Sequence, residues 1–239
     1  MAVYNGVLYI GTQIESILHQ LGCNDELIII DDASSDESIN IIKGFVDARI
    51  KLYQNEINLG PTKTFNRALS LADGEIVFLS DQDDIWYDHK VATIIKYFQS
   101  TDIDLIVHDA RVINEESIVN ESLFEMCKSS PGLIRNIISS THTGCCMALR
   151  CSALRDLLPI PVGKGIYHDS WIGVFSGCIG QRKLFLKIPL IDYRRHGNNV
   201  SAMRTRGLMK ILPERFNLII ALGRRVTGRL LQMAAHLLH

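Results

Sequence analysis

The sequence predicts an α/β protein, built on a mixed, mainly parallel sheet with helices on both faces and a C-terminal helical tail. Three observations carry that expectation. Short apolar runs ending in acids, Glu26 to Asp32 and Ile76 to Asp84, alternate with segments of helical period. Turn signals (Tyr4-Asn5-Gly6, Ala33-Ser34-Ser35, Asp73-Gly74) separate these runs. With 239 residues, 47% of them hydrophobic, the chain can bury one large core.

In chain order, Met1 to Tyr4 reads as the second half of a strand, so strand residues ahead of Met1 are expected to belong with it. Ile10, Ile14, Ile17, Leu18 and Leu21 recur at helical spacing and predict a helix ending near Gly22. Glu26 to Asp32 is a buried strand, followed by a capped helix through Ile39, Ile41, Ile42 and Phe45, then a strand from Ile50 to Gln54. Asn58-Leu59-Gly60-Pro61 is a loop and Thr64 to Leu71 a helix. After the strand at Ile76, the pattern predicts a helix from Val91 to Phe98 and a strand from Asp104 to Val112. Asn114 to Pro131 reads as a polar loop or lid. A short helix from Leu133 to Ile138, a strand from Thr143 to Leu149, a helix opening at Tyr167-His168-Asp169-Ser170-Trp171 and a strand from Leu184 to Tyr193 complete the body. The tail, Leu208 to Leu238, reads as helix interrupted by Pro213, Gly223 and Gly228.

The net charge of -1 exerts no pull toward nucleic acid, but it is unevenly spread. From Arg204 onward seven basic residues face a single acid, which leaves the first 203 residues at -7. Six cysteines without a CxxC pair read as buried free thiols in a reducing compartment. No signal peptide opens the chain, and no apolar run reaches the roughly 18 residues that cross a bilayer, so a cytoplasmic location is expected.

Three carboxylates within four residues, Asp81, Asp83 and Asp84, are more than folding asks of a strand end. They suit a hard divalent cation, Mg²⁺ or Mn²⁺, or alternatively a polar turn that caps the next helix. Asp31-Asp32, Tyr4-Asn5, His168-Asp169 and His196 with Asn198 and Asn199 lie at other element ends. In a parallel sheet such ends converge on one ligand edge.

The ordered set Met1 to Gly6, Ile30 to Asp36, Asn58-Leu59-Gly60, Asp81-Gln82-Asp83-Asp84 and His168 to Trp171 resembles the family 2 glycosyltransferases of GT-A (Rossmann-like) fold. The likeness spans roughly residues 1 to 200. The pairing of Ser80 to Trp86 with Tyr193 to Ser201 is most similar to the rhamnosyltransferase-like branch that builds bacterial surface polysaccharides. That resemblance implies a GT-A domain over 1–203, with a nucleotide-binding half to about 100 and an acceptor half from about 101, and a basic tail over 204–239. It implies an inverting, metal-dependent transfer of a sugar, rhamnose among the candidates, from a dTDP or UDP donor to a saccharide or lipid-linked acceptor.

On this reading Asp169 takes the acceptor proton, while Tyr4, Asp32, Lys63 and Asp81 hold the nucleotide sugar. Asp83 and His196 take the cation, and Trp86, His168, Trp171, Arg194 and Arg195 are candidate acceptor or phosphate contacts. The family usually carries Glu-Asp where this chain has His168-Asp169. Bland alternatives stand beside several of these: a turn hydrogen bond for His168, an exposed basic loop for His196, and packing for Trp86 and Cys145-Cys146.

In the tail, Leu208, Ile211, Leu212, Phe216, Ile219, Ile220, Leu230, Leu231 and Leu237 alternate with arginines. This reads as a peripheral anchor at the inner membrane face, or as a helix packed on the body or on a second copy in a homodimer. The rival functional reading is a non-catalytic nucleotide-sugar-binding or assembly protein. A dinucleotide-binding oxidoreductase is disfavoured, because no GxGxxG follows a strand.

Overall fold

The computed structural model describes residues 1–114, 118–196 and 208–237. Strands β1 (Ala2–Val3), β2 (Leu27–Asp31) and β3 (Ile50–Gln54) form a parallel sheet in that order. All five residues of β2 are buried, which is why its sequence is an unbroken apolar run. Helix α1 (Ile10–Leu18) buries Ile10, Gln13, Ile14 and Ile17, the stripe its spacing predicts. After α2 (Ser38–Gly44), helix α3 (Pro61–Ser70) begins on a proline directly after Gly60, whose φ of 81° suits glycine.

A second sheet contains β4 (Ile76–Phe78), β5 (Ile85–Trp86), β6 (Leu105–Ile113), β7 (Ile118–Ser122), β8 (Met147–Arg150) and β9 (Lys183–Arg194). Its order is β4-β8-β6-β9-β5, with β7 beside β6, and within it only β6 and β9 run parallel. The architecture is therefore mixed α/β as predicted, with the β1 to β3 sheet all parallel and the second sheet mixed. Helix α4 (Lys90–Ser100) covers one face. Between β2 and β4 lies a largely apolar cavity of about 680 Å³, with Met1, Leu27, Phe65, Val77, Phe78 and Trp86 in its wall.

Three expectations are corrected. Asn114 to Pro131 is not an irregular lid: within its described residues it forms β7 and then α5 (Leu123–Cys127). Ser122 caps that helix and Glu125 returns the bond to the Ser122 N–H, a capping box legible in Ser-x-x-Glu. Two further helices, α6 (Leu133–Ile138) and α7 (Cys151–Leu157), flank β8, and α7 was not foreseen. The centre of the C-terminal half of the body is α8 (His168–Cys178), which is almost wholly buried. Finally α9 (Leu208–Leu237) runs without interruption through Pro213, Gly223 and Gly228, because Leu218 and Leu222 pack into the body and offset the weak helix formers.

Packing under α8 gives a test of the fold. His142 is buried against Gly173, where a β-carbon would collide with the imidazole, and both its ring nitrogens lack hydrogen-bond partners. Desolvation holds its pKa down to about 3, below the ordinary value of 6.5. A base whose folded pKa is lowered contributes fully above the unfolded pKa and loses that contribution as pH falls toward the folded one. His142 is thus expected to cost about 2 kcal/mol of stability between about pH 7 and 5. Denaturant unfolding of the His142→Phe protein should show that much less pH sensitivity, and equal sensitivity in both proteins would contradict the account.

Candidate active site

The loop after β1 is fastened to the loop after β2. Asn5, at φ 48°, donates its N–H to Ser34 Oγ at 2.9 Å, and its side-chain oxygen accepts from Ser35 N–H at 2.9 Å. Gly6 N–H donates to Ser38 Oγ and Val7 N–H to Asp36. Gln82 clamps the same loop from the acidic segment: its side-chain oxygen accepts from Tyr4 N–H at 2.8 Å and its amide donates to Tyr4 O at 3.1 Å. A β-carbon at Gly6 would lie 2.6 Å from that Gln82 oxygen, so a larger residue there would displace the Gln82 clamp. Tyr4 itself remains 47% exposed, its ring open to a ligand.

Asp32 is buried and accepts from Asn55 Nδ2 at 2.7 Å, Leu59 N–H at 2.9 Å and Gly60 N–H at 2.8 Å. Those bonds fasten the Asn58-Leu59-Gly60 loop and occupy much of the carboxylate's capacity. Beside it, Asp31 Oδ2 accepts from Ser34 N–H, while Asp31 Oδ1 is buried with no hydrogen-bond partner. Lys63 stands exposed in the first turn of α3.

Asp81, Asp83 and Asp84 point into three different environments. Asp83 Oδ2 lies 2.8 Å from His196 Nε2, and both side chains are largely buried. Asp84 is 1% exposed; its Oδ1 accepts from Arg194 N–H at 3.2 Å, while its Oδ2 has no hydrogen-bond partner. Burial, then the charge of Asp83, pushes the Asp84 carboxyl up to about 7. Asp81 keeps an edge in solvent, yet desolvation and the charges of Asp84, Asp83 and Asp169 hold it well above the usual carboxylate range. Ligand atoms of Asp81, Asp84 and Cys145 lie within 4.8 Å of one another. Asp84 thus does not cap a helix, and among the described residues a cation-sized grouping of Asp81, Asp84 and Cys145 stands beside the Asp83–His196 pair that the sequence suggested for the cation.

Behind these acids sits Lys90, buried completely, its Nζ 3.1 Å from Cys145 O and 3.8 Å from the centre of the Trp86 ring. Desolvation lowers its ammonium to about 8. Crowded carboxyls with raised pKa and an orphaned buried oxygen fit a divalent cation, which would supply the missing bond and offset the repulsion.

Arg194 and His196 arrive at the end of β9. Arg194 Nε donates to Asp83 O at 3.1 Å, its guanidinium lies 4.7 Å from the Tyr9 ring centre, and the His196 ring is 5.1 Å from the same ring. Asp169 occupies the first turn of α8, half-buried, with Ser170 N–H donating to its Oδ1 at 2.6 Å. Its charge acts on Asp81, which sets it on the same crevice. His168 stacks on Phe65 with ring centres 3.9 Å apart, and burial lowers its pKa.

Two tryptophans proposed as acceptor or phosphate contacts are core instead. Trp171 is fully buried, stacks on Phe175 and donates to Leu157 O. Trp86 is 4% exposed and packs on Phe78 and Lys90. Arg195 is tied by its backbone to Ile113 O, and Asn198 and Asn199 lie outside the described residues. Sequence reading missed Gln82, Lys90, Cys145 and Gln13, whose amide reaches Ser80 Oγ and Asp81 O. Only Gln13 had a signal: a polar residue within the buried stripe of α1.

A parallel β-α-β half, a mixed half behind it and an acid cluster at the crevice between them define the GT-A class. The fold agrees with that of Staphylococcus aureus TarS (residues 1–349, in complex with UDP-GlcNAc) at a TM-score of 0.73 and 18% identity, over 94% of this chain and 64% of that one. The chain belongs to glycosyl transferase family 2, whose family model matches residues 1–158. An uncharacterised glycosyltransferase of Nostoc sp. is 30% identical over 207 residues, covering 82% of this chain and 63% of the relative. The Escherichia coli UDP-Glc:α-D-GlcNAc-diphosphoundecaprenol β-1,3-glucosyltransferase WfgD is 36% identical over 121 residues, covering 51% and 48%. The chain thus spans about half to two thirds of the length of these proteins. Among the described residues no helix is long and apolar enough to cross a membrane.

Proposed function

We propose that the protein is an inverting, metal-dependent glycosyltransferase that moves a sugar from a UDP or dTDP donor to a saccharide carried on a lipid. The division into a GT-A body over 1–203 and a basic tail belongs to this proposal. The observation that carries it is the acid cluster in which ligand atoms of Asp81, Asp84 and Cys145 lie within 4.8 Å of one another beside the Asp83–His196 pair, with Asp169 near enough for its charge to help raise the Asp81 carboxyl. Tyr4 stacks on the pyrimidine, and Gln82 holds the Tyr4 backbone in place. Asp32 positions the loop below the base through Leu59 and Gly60, and offers its remaining lone pairs to the ring N–H common to uracil and thymine.

Asp81 and Asp84 would hold Mg²⁺ or Mn²⁺, with Asp83 and His196 closing the same wall. The bound cation supplies charge compensation for the departing diphosphate. Arg194 and Arg195 meet phosphate, and Lys63 stands at the mouth. Asp169 accepts the proton of the acceptor hydroxyl while its oxygen attacks the anomeric carbon from the side opposite the nucleotide. One displacement therefore inverts that centre. Ser170 N–H donates to Asp169 Oδ1 and orients it.

A thermal-shift screen of UDP-glucose, UDP-GlcNAc, dTDP-rhamnose and GDP-mannose with Mn²⁺ tests the donor class. UDP or dTDP sugars should raise the melting temperature and GDP-mannose should not; no shift with any would contradict the reading. Binding with no transfer to a lipid-linked saccharide would favour a non-catalytic assembly protein.

A further inference from the structure

Helix α9 presents two apolar faces, of which the fold uses one. Leu218 and Leu222 are buried against the body, and Asn217 donates to Lys164 O to fix the helix there. On the side turned away from the body, Leu212, Phe216, Ile219, Ile220, Leu230 and Leu231 form one stripe within about 120° of arc at 3.6 residues per turn, with 37 to 67% of each exposed. Along the flank of that stripe, α9 and α7 enclose a cleft of about 420 Å³ lined by Arg155, Arg224, Arg225 and Arg229, with Asp156 the acid in its wall. Asp156 is bonded to Arg229 at 2.8 Å, and Arg225 is held by Leu158 O. Among the described residues, Arg155 and Arg224 of this cleft make no hydrogen bond or ion pair.

We propose that α9 docks the protein on an anionic lipid bilayer: the Leu212, Phe216, Ile219 and Leu230 stripe enters the headgroup boundary, and the Arg155/Arg224 cleft takes lipid phosphate. The charge on the helix selects this occupant. Residues 208–237 hold five basic side chains and one acid, so a second copy laid face to face would bring arginines against arginines. A bilayer of anionic lipid complements both the stripe and its flank. The helix lies on the surface rather than through it, since it lacks the apolar length to span.

Docking in this orientation also serves the site. Arg215, near the start of α9, reaches Ser170 Oγ at 3.4 Å, one residue beyond Asp169. The proposed base therefore sits beside the lipid-facing helix, where a saccharide on a lipid diphosphate would arrive. The inference rests on the lipid-linked acceptor reading for its purpose, though not for its measurement.

The test is vesicle flotation of the full chain at low salt. Vesicles of equal parts phosphatidylglycerol and phosphatidylcholine should carry the protein, and pure phosphatidylcholine should carry far less. Arg155→Glu and Arg224→Glu should each lower partition by roughly fivefold or more. Phe216→Ser with Leu230→Ser should abolish it while melting temperature stays unchanged, as expected for exposed positions. Excess inorganic phosphate at constant ionic strength should not release the protein; release would assign the cleft to a free phosphate ligand and overturn the lipid claim. Absence of flotation, equal flotation on neutral vesicles, or a dimer that the serine variants dissociate would each overturn it as well. The thermal shift with UDP sugars, read on the same variants, separates the two readings. Donor binding without flotation removes only the docking surface, and flotation without donor binding removes only the transferase.

Discussion

Asp169→Asn is expected to lower the rate of sugar transfer by roughly 10²- to 10⁴-fold, the share that a positioned general base contributes. Asparagine keeps the size of the side chain and its place in the first turn of α8, but it cannot take a proton. The variant should bind UDP with Mn²⁺ within about twofold of the wild type, because Asp169 meets the acceptor side of the crevice. One sensitive consequence lies next door: Asp169's charge helps raise the Asp81 carboxyl, so the neutral amide should ease that repulsion and, if anything, strengthen cation binding. Single-turnover transfer and calorimetric UDP titration together decide the matter. Transfer at the wild-type rate would remove Asp169 from the chemistry, whereas equal loss of binding and transfer would make its role structural.

The second large effect is expected at Asp84. Asp84→Asn should weaken Mn²⁺-dependent UDP binding by about 10- to 100-fold or more, on the scale seen when a metal site loses a tuned carboxylate. The metal-free protein should respond in the opposite sense. The folded carboxyl sits at about 7 against an ordinary 3.8, so in the wild type its share of stability is lost as pH rises through that window. At about pH 8 the amide carries no buried charge, and the metal-free variant should be more stable by a few kcal/mol. A variant that is stabilised without metal yet weak with it would identify a functional carboxylate held against its own solvation. If Asp84→Asn leaves Mn²⁺ affinity intact and Asp83→Asn destroys it, the cation belongs to Asp83 and His196, as the sequence first suggested.

Much of the architecture was legible before any coordinates. The apolar run of β2, the stripe of α1, the bounds of β3 and α6 and the start of α8 all follow from patterns of period 2 or 3.6 closed by turn residues. Less legible was Ile118 to Ser122. Its mixed residues join β6 because β6 offers backbone groups for pairing, which no local pattern encodes. The tail was legible as a helix but not as a continuous one. Burial of Leu218 and Leu222 holds it through residues whose own propensity argues for a break.

The site divides the same way. Chain order alone placed Asp32, Asp81 to Asp84, Asp169 and His196 at element ends, since a parallel α/β chain brings such ends to one crevice. What each carboxylate does there depends on partners distant in sequence. Asp32 became a loop fastener through Asn55 and Gly60, Asp83 met His196, and Asp84 was left with an orphaned oxygen over Lys90 and Cys145. Trp86 and Trp171, which read as ligand contacts by their neighbours in the chain, turned inward to the core. The sequence by itself determined the fold class, the acids and the proposed base, because periodicity and turn chemistry are local. Only the tertiary structure decided which acids crowd into the cation-sized cluster and which is spent on holding loops, because burial and hydrogen-bond partners are set by residues more than a hundred positions away.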